Sequence, residues 1–139
     1  RMLKYSDFGV VVEPVSTCYV PDIRSVYCEV ARITKPGGLY ISQHKQPASL
    51  QADVQPSARG YELVEPYVRS GPLPPVTGHM CRSAFVIEDF IEPPHADDAA
   101  SAGTFAHRSR YVAPYVRIRA RRVGKSSAVE SPGSLWTPT

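Results

Sequence analysis

The stretch PDIRSVYCEVARITKPGGLYIS, residues 21–42, decides the fold. Within it Ile23, Val26, Tyr27, Val30 and Ile33 fall at i, i+3, i+4, i+7 and i+10, which makes one apolar stripe on a helix. Arg24, Glu29 and Arg32 lie off that stripe. Pro21-Asp22 opens the helix, and Lys35 is expected in its last turn, where a cation suits the helix dipole. Pro36 ends it, and Gly37-Gly38 supplies permissive backbone for a reversal into a strand over Leu39–Ser42. Upstream, Phe8 to Val12 reads FGVVV, a continuous apolar run that fits a strand buried on both faces. Glu13-Pro14 stops that strand, because Pro cannot donate to a ladder. Strand, helix, Gly turn and strand in about 35 residues is a βαβ unit, with a parallel pair and a right-handed crossover.

Downstream the pattern changes. Gln43 to Gly78 contains Pro47, Pro56, Pro66, Pro72, Pro74 and Pro75 and has no sustained period, so a long loop is expected. Phe85–Glu92 is expected as a third strand, with Phe85, Ile87 and Ile91 on one side and Val86 and Phe90 on the other. Pro93 to Arg110 is expected as a loop with residues 97–103 at its tip. Tyr111–Arg121 is expected as a fourth strand, on which Val116, Ile118 and Ala120 alternate with Arg117, Arg119 and Arg121. Val123 to Thr139 is rich in Ser, Pro and Gly and is expected to be a disordered tail, which leaves one domain over residues 1–122.

The 139 residues, 42% hydrophobic and 21% charged, suffice for a packed core. No apolar run approaches the roughly 20 residues of a membrane span, and nothing resembles a signal peptide. Cys18, Cys28 and Cys81 form no CxxC or Cys/His cluster, so neither a zinc site nor a disulfide framework is indicated, and reduced thiols fit the cytoplasm. The net charge of +3 is low for a nucleic-acid binder. The six Arg between His107 and Arg122 read first as a solvated face.

Two segments carry a family likeness. Tyr19-Val20-Pro21-Asp22, followed by Glu29-Val30-Ala31-Arg32-Ile33-Thr34-Lys35-Pro36-Gly37-Gly38-Leu39-Tyr40-Ile41, resembles the later half of class I S-adenosylmethionine-dependent methyltransferases. There a helix ends in a KPGG-like phrase and enters the fifth strand. Phe85–Glu92 with Tyr115–Arg121 resembles that fold's closing antiparallel hairpin. The likeness covers residues 8 to 122. It implies an α/β fold: a partial Rossmann-like methyltransferase sheet, with a βαβ unit followed by an antiparallel β-hairpin.

The resemblance also implies a site. Ligands of open α/β sheets bind outside the carboxyl ends of the strands. The loop Glu13, Pro14, Val15 and Ser16 would line the S-adenosylmethionine and the transfer site. Glu13 is a candidate general base, although a carboxylate that simply ends a strand at the solvent is an equal reading. His44, just past the second strand, is a candidate base or substrate contact. Tyr19, Lys45, Gln46, His107 and Tyr111 are candidate acceptor-binding residues. His79 and His95 are expected at the surface, and Tyr61, Tyr67, Tyr111 and Tyr115 are expected to serve packing.

Three departures stand beside the matches. No G-x-G occurs, so the Gly-rich loop that holds the cofactor in that family has no counterpart here. Gly78-His79-Met80-Cys81 reads as a junction roughly two dozen residues shorter than a typical crossover. Thr34 stands where the family usually has Leu, and is expected on the helix at a mild propensity cost. The chain also begins on Arg1, which fits a processed product, an expression product or a fragment. Two readings follow: a methyltransferase of a small-molecule acceptor represented by its C-terminal half, or a non-catalytic remnant acting as a structural or self-associating protein. Whether this chain is itself an enzyme stays open at this point. In either case uncovered sheet faces call for a homo-oligomer or a partner chain.

Overall fold

A computed structural model describes residues 3–66 and 80–124. Strand β1 (Phe8–Glu13) leads through a 3-10 turn (Thr17–Tyr19) into helix α1 (Ile23–Ile33) and strand β2 (Thr34–Lys45). A short helix α2 (Pro47–Gln51) follows, then strand β3 (Phe85–Ile91), a one-turn helix α3 (Phe105–Arg108) and strand β4 (Tyr115–Arg122). The sheet order is β1-β2-β4-β3, with β1 and β2 parallel and the other pairs antiparallel. The expected βαβ unit and closing hairpin are both present.

Helix α1 begins where the Asp22 carboxylate accepts the backbone N–H groups of Arg24 and Ser25, at 3.1 and 3.3 Å. Its stripe of Ile23, Tyr27, Val30, Ala31 and Ile33 is buried. The helix stops at Ile33, two residues earlier than the proline alone suggests. Thr34 is already extended, and its hydroxyl donates to the Val30 carbonyl at 2.6 Å. Thr34 therefore closes the helix from outside it instead of weakening it from within. Lys35 likewise lies beyond the helix; Arg32 occupies the last turn and pairs with Glu29.

The KPGG phrase is a bulge at the start of β2. Phe8 pairs with Thr34 but Val10 pairs with Leu39, so residues 35–38 loop out of the ladder. Gly37 has a φ of +79°, and a Cβ on Gly38 would lie 2.9 Å from the Gly9 carbonyl oxygen. The two glycines let the chain leave and re-enter the ladder beside β1.

On one sheet face Tyr40, Phe85, Val116, Ile118 and Ala120 pack with Met80 against α1. β4 alternates as expected, and the alternation extends to Arg122. That buried guanidinium donates to the carbonyls of Ala31, at the carboxyl end of α1, and of Val123 and Gly124. β3 departs from strict alternation. Glu88 is an extra residue between the Ile87–Ala120 and Asp89–Arg119 pairs, so Phe90 faces the Ile118 side and Ile91 the Arg117 side.

Several other expectations change. β1 is not buried on both faces: Val10 and Val12 are 53% and 65% exposed. Among the described residues β1 pairs only with β2, and no helix covers its Val10–Val12 face. β2 runs on to Lys45, three residues past Ser42. The expected loop after it holds α2 and the bridges Ala52–Leu63 and Ser57–Gly60. The loop after β3 holds α3, which takes the chain to Tyr111 before β4 starts at Tyr115. Of the junction around Gly78, residues 78–79 lie outside the described part; residues 80–82 are helical and Met80 is fully buried. Of the expected tail, residues 125–139 and with them its disorder lie outside it too, while Val123 donates to the Ala84 carbonyl at 3.0 Å.

Candidate functional site

The carboxyl ends of β1 and β2 converge beneath the start of α1. Glu13 pairs with Ser42 in the ladder and turns its side chain to the α1 face. One carboxylate oxygen accepts the Ser16 hydroxyl at 2.5 Å and the other accepts the Tyr40 phenol. Glu13 is therefore fastened at both oxygens and does not merely end a strand in water. Burial, with the Glu13 carboxylate beside it, pushes the Tyr40 phenol far above its ordinary range, so Tyr40 stays a donor. Burial and the same carboxylate also raise Tyr27. Its ring stands edge-on to Tyr40 and to His44, and its hydroxyl is buried with no hydrogen-bond partner among the described residues.

His44 is placed differently from the sequence expectation. It is buried on the α1 face, not presented at the rim. Nδ1 shares a hydrogen bond with the Thr17 hydroxyl at 2.7 Å, and Nε2 one with the Ser42 hydroxyl at 2.8 Å. With both nitrogens engaged and the ring enclosed, His44 ties the Ser16–Tyr19 turn to β2. Burial holds its pKa below the usual imidazole value, and the Glu13 charge offsets this only in part. Glu13 with Ser16 and Tyr40 thus forms a part-buried set, and His44 with Thr17 and Ser42 a buried one beside it. Within the same loop Pro14 is exposed and Val15 half-buried, while Tyr19 is 83% exposed.

The remaining candidates lie in a lobe over the far end of β2. The Lys45 ammonium sits 4.8 Å from the centroid of the Tyr115 ring. Gln46 caps α2 through the Ala48 N–H and donates to Glu92 at 3.0 Å, so it is a structural tie. His107 shares a hydrogen bond with the Tyr61 hydroxyl at 2.9 Å, and Tyr111 stacks on both rings. The three rings pack on one another.

Two features escaped the sequence. Arg108, half-buried, donates to the backbone carbonyls of Ser49, Ala52 and Asp53 and to the Ser49 hydroxyl, binding α3 to α2. His95, expected at the surface, stands edge-on to Phe105 and Tyr115 with its Nε2 buried. No sequence signal marks either; both depend on how two loops meet. The basic run is likewise engaged by this chain: Arg110 pairs with Asp98, Arg119 and Arg121 with Glu88, and Arg117 donates to Gln43. Among the described residues no cluster of side chains could hold a metal ion, and no helix is long and apolar enough to cross a membrane.

No family model and no curated protein matches the sequence. Solved structures do match the fold. A Mesorhizobium loti S-adenosylmethionine-dependent methyltransferase superposes with a TM-score of 0.68 at 20% identity, over 86% of this chain and 64% of its own. The geranyl diphosphate C-methyltransferase of Streptomyces coelicolor A3(2), solved with Mg2+, geranyl diphosphate and S-adenosylhomocysteine, gives 0.53 at 19% identity, over 87% and 48%. The [4+2]-cyclase SpnF gives 0.51 at 17% identity, over 87% and 52%. The chain spans less than two thirds of each of these structures. Likeness at such identities establishes a fold, and one fold serves several reactions. This chain carries part of the Rossmann-like sheet found in S-adenosylmethionine-dependent methyltransferases.

Proposed function

We propose that the chain forms one side of an S-adenosylmethionine-dependent methyl-transfer site for a small-molecule acceptor. The observation that carries this reading is Glu13, held at the carboxyl end of β1 by Tyr40 and Ser16 in a sheet of methyltransferase fold. That sheet end is where open α/β folds bind ligands. The small-molecule acceptor is supported by the geranyl diphosphate methyltransferase among the similar structures. The reading of a non-catalytic remnant has no observation of its own in its favour.

The residues present suit one wall of a cofactor site. A carboxylate and a hydroxyl at Glu13 and Ser16 match a cationic sulfonium and its polar neighbours, and Pro14 and Val15 offer apolar contact. When bound, S-adenosylmethionine supplies an activated methyl group. The chain then contributes position: in-line displacement depends chiefly on holding the acceptor in a near-attack arrangement. An acceptor hydroxyl or amine that donates to Glu13 would be oriented and could lose its proton there. His44 acts behind Glu13 as a positioning residue, through Thr17. Tyr19 and Lys45 face the acceptor, whereas Gln46, His107 and Tyr111 shape the lobe beside it. The exposed Val10–Val12 face supports coverage by a second copy or a partner chain. Three exposed free thiols fit a reducing compartment such as the cytoplasm.

Calorimetric titration with S-adenosylmethionine, which carries the sulfonium charge, tests the reading. We expect measurable binding that Glu13→Ala weakens by about tenfold, or ~1.4 kcal/mol. Absence of binding, or binding indifferent to Glu13→Ala, would overturn it.

A further inference from the structure

We propose that Lys45, Tyr115 and Phe105 form an acceptor subsite for an aromatic carboxylate. All three stand at the end of the sheet where β2 finishes and β4 begins. Lys45 pairs with Tyr115 across the ladder, which puts both on the sheet face opposite α1. The Lys45 ammonium lies over the Tyr115 ring and 3.5 Å from its hydroxyl. Among the described residues it has no carboxylate partner, so the position holds a fixed, uncompensated cation. Phe105 stacks at a tilt on the same Tyr115 ring, 6.3 Å between centroids, and His95 braces both rings edge-on. Phe105 nonetheless remains 52% exposed, which leaves an aromatic face turned to solvent on a helix that Arg108 fastens in place.

These observations specify a ligand. An exposed aromatic face next to a rigid aromatic pair favours a flat, unsaturated body. A single ammonium favours one anionic group. Arg117, the next residue on that face, already donates to Gln43 at 3.1 Å, so the cation set suits a monoanion better than a diphosphate. Ser42 is the ladder partner of Glu13, and Lys45 lies three residues further along the strand. The two backbone positions are therefore about 11 Å apart at strand geometry, with their side chains on opposite faces of the sheet. An acceptor anchored by its carboxylate at Lys45 would have to pass around the carboxyl end of β2 to bring its far end to Glu13, which lies on the α1 face. The inference deepens the methyl-transfer reading and rests on it for its meaning, but its test needs no cofactor.

The test is NMR titration of the full chain with trans-cinnamate and with cinnamamide, its neutral analogue, in the absence of S-adenosylmethionine. Cinnamate is expected to bind at least tenfold more tightly than the amide. Lys45→Met should bring cinnamate to the level of the amide and leave the amide unchanged, and Phe105→Ala should weaken both. Equal affinity for acid and amide, no binding of either at millimolar concentration, or cinnamate affinity unaltered by Lys45→Met would each overturn the subsite. Failure of S-adenosylmethionine to bind while cinnamate binds as expected would count against methyl transfer and leave the subsite standing.

Discussion

The two regions that flank the carboxyl end of the sheet are held in opposite ways. Beneath α1, Glu13 is bonded to Ser16 and Tyr40, and His44 to Thr17 and Ser42, side chain to side chain, and most of the six are anchored on strands. Across the sheet end, the lobe of α2, residues 52–63 and α3 is held chiefly by Arg108, bonded to three backbone carbonyls, beside the Tyr61–His107 hydrogen bond. A distributed network loses part of its energy when one member goes. A keystone costs more, because its loss leaves three carbonyls without their charged donor at once.

Breaking the keystone should have the largest effect. Arg108→Ala is expected to cost about 3 kcal/mol, since bonds to a charged donor contribute roughly 1.5–3 kcal/mol together with the unsatisfied carbonyls. Urea unfolding would read the loss, and amide exchange should accelerate in residues 47–63 while α1 stays protected. Uniform acceleration through α1 would contradict the separation of the two regions.

In the network, Tyr40→Phe should cost about 2 kcal/mol, because it leaves one oxygen of a half-buried carboxylate without its donor. The same change in a Glu13→Gln background should cost less, and a double-mutant cycle measures that coupling. An additive cycle would show that the Tyr40–Glu13 bond does not hold the loop.

His44 gives a smaller, pH-dependent effect. Its folded pKa lies below the ordinary 6.5, so between the two values the unfolded chain binds more protons. The stability it supports is complete above pH 6.5 and falls as the pH drops below that, by at most about 1.4 kcal/mol per unit. Thermal melts from pH 7.5 to 5.5 should fall more steeply for the natural chain than for His44→Asn. Equal slopes would place the imidazole in water.

Tyr27→Phe should be the mildest. Its buried hydroxyl has no partner among the described residues, so removing it is expected to be neutral or stabilising by up to about 1 kcal/mol. A lowered melting temperature would reveal a bond to an ordered water.

The contrast also explains what the sequence made legible. The helix stripe from Ile23 to Ile33 and the Val116–Ile118–Ala120 alternation are local periodicities, so both elements could be read directly. The parallel pairing of β1 and β2 followed from the crossover between them. The Glu88 bulge was hidden, because an inserted residue is visible only against its partner strand. Glu13 was legible as a strand end, but its anchoring by Tyr40 joins residues 27 apart and leaves no local trace. His44 reads from the sequence as lying just past the second strand, because β2 is expected to end at Ser42. The strand continues to Lys45, and its alternation turns His44 inward with Tyr40 and Ser42. The lobe was least legible of all, since its order comes from Arg108 reaching a segment more than fifty residues away.

The most direct test of the central claim is a titration of the isotopically labelled chain with S-adenosylhomocysteine, followed by backbone amide shifts. If the sheet end beneath α1 forms one wall of a methyl-transfer site, the shifts concentrate at residues 13–19 and fade in α3 and the 97–103 turn. Shifts confined to the lobe, or none at any concentration that saturates related sheets, would contradict the account.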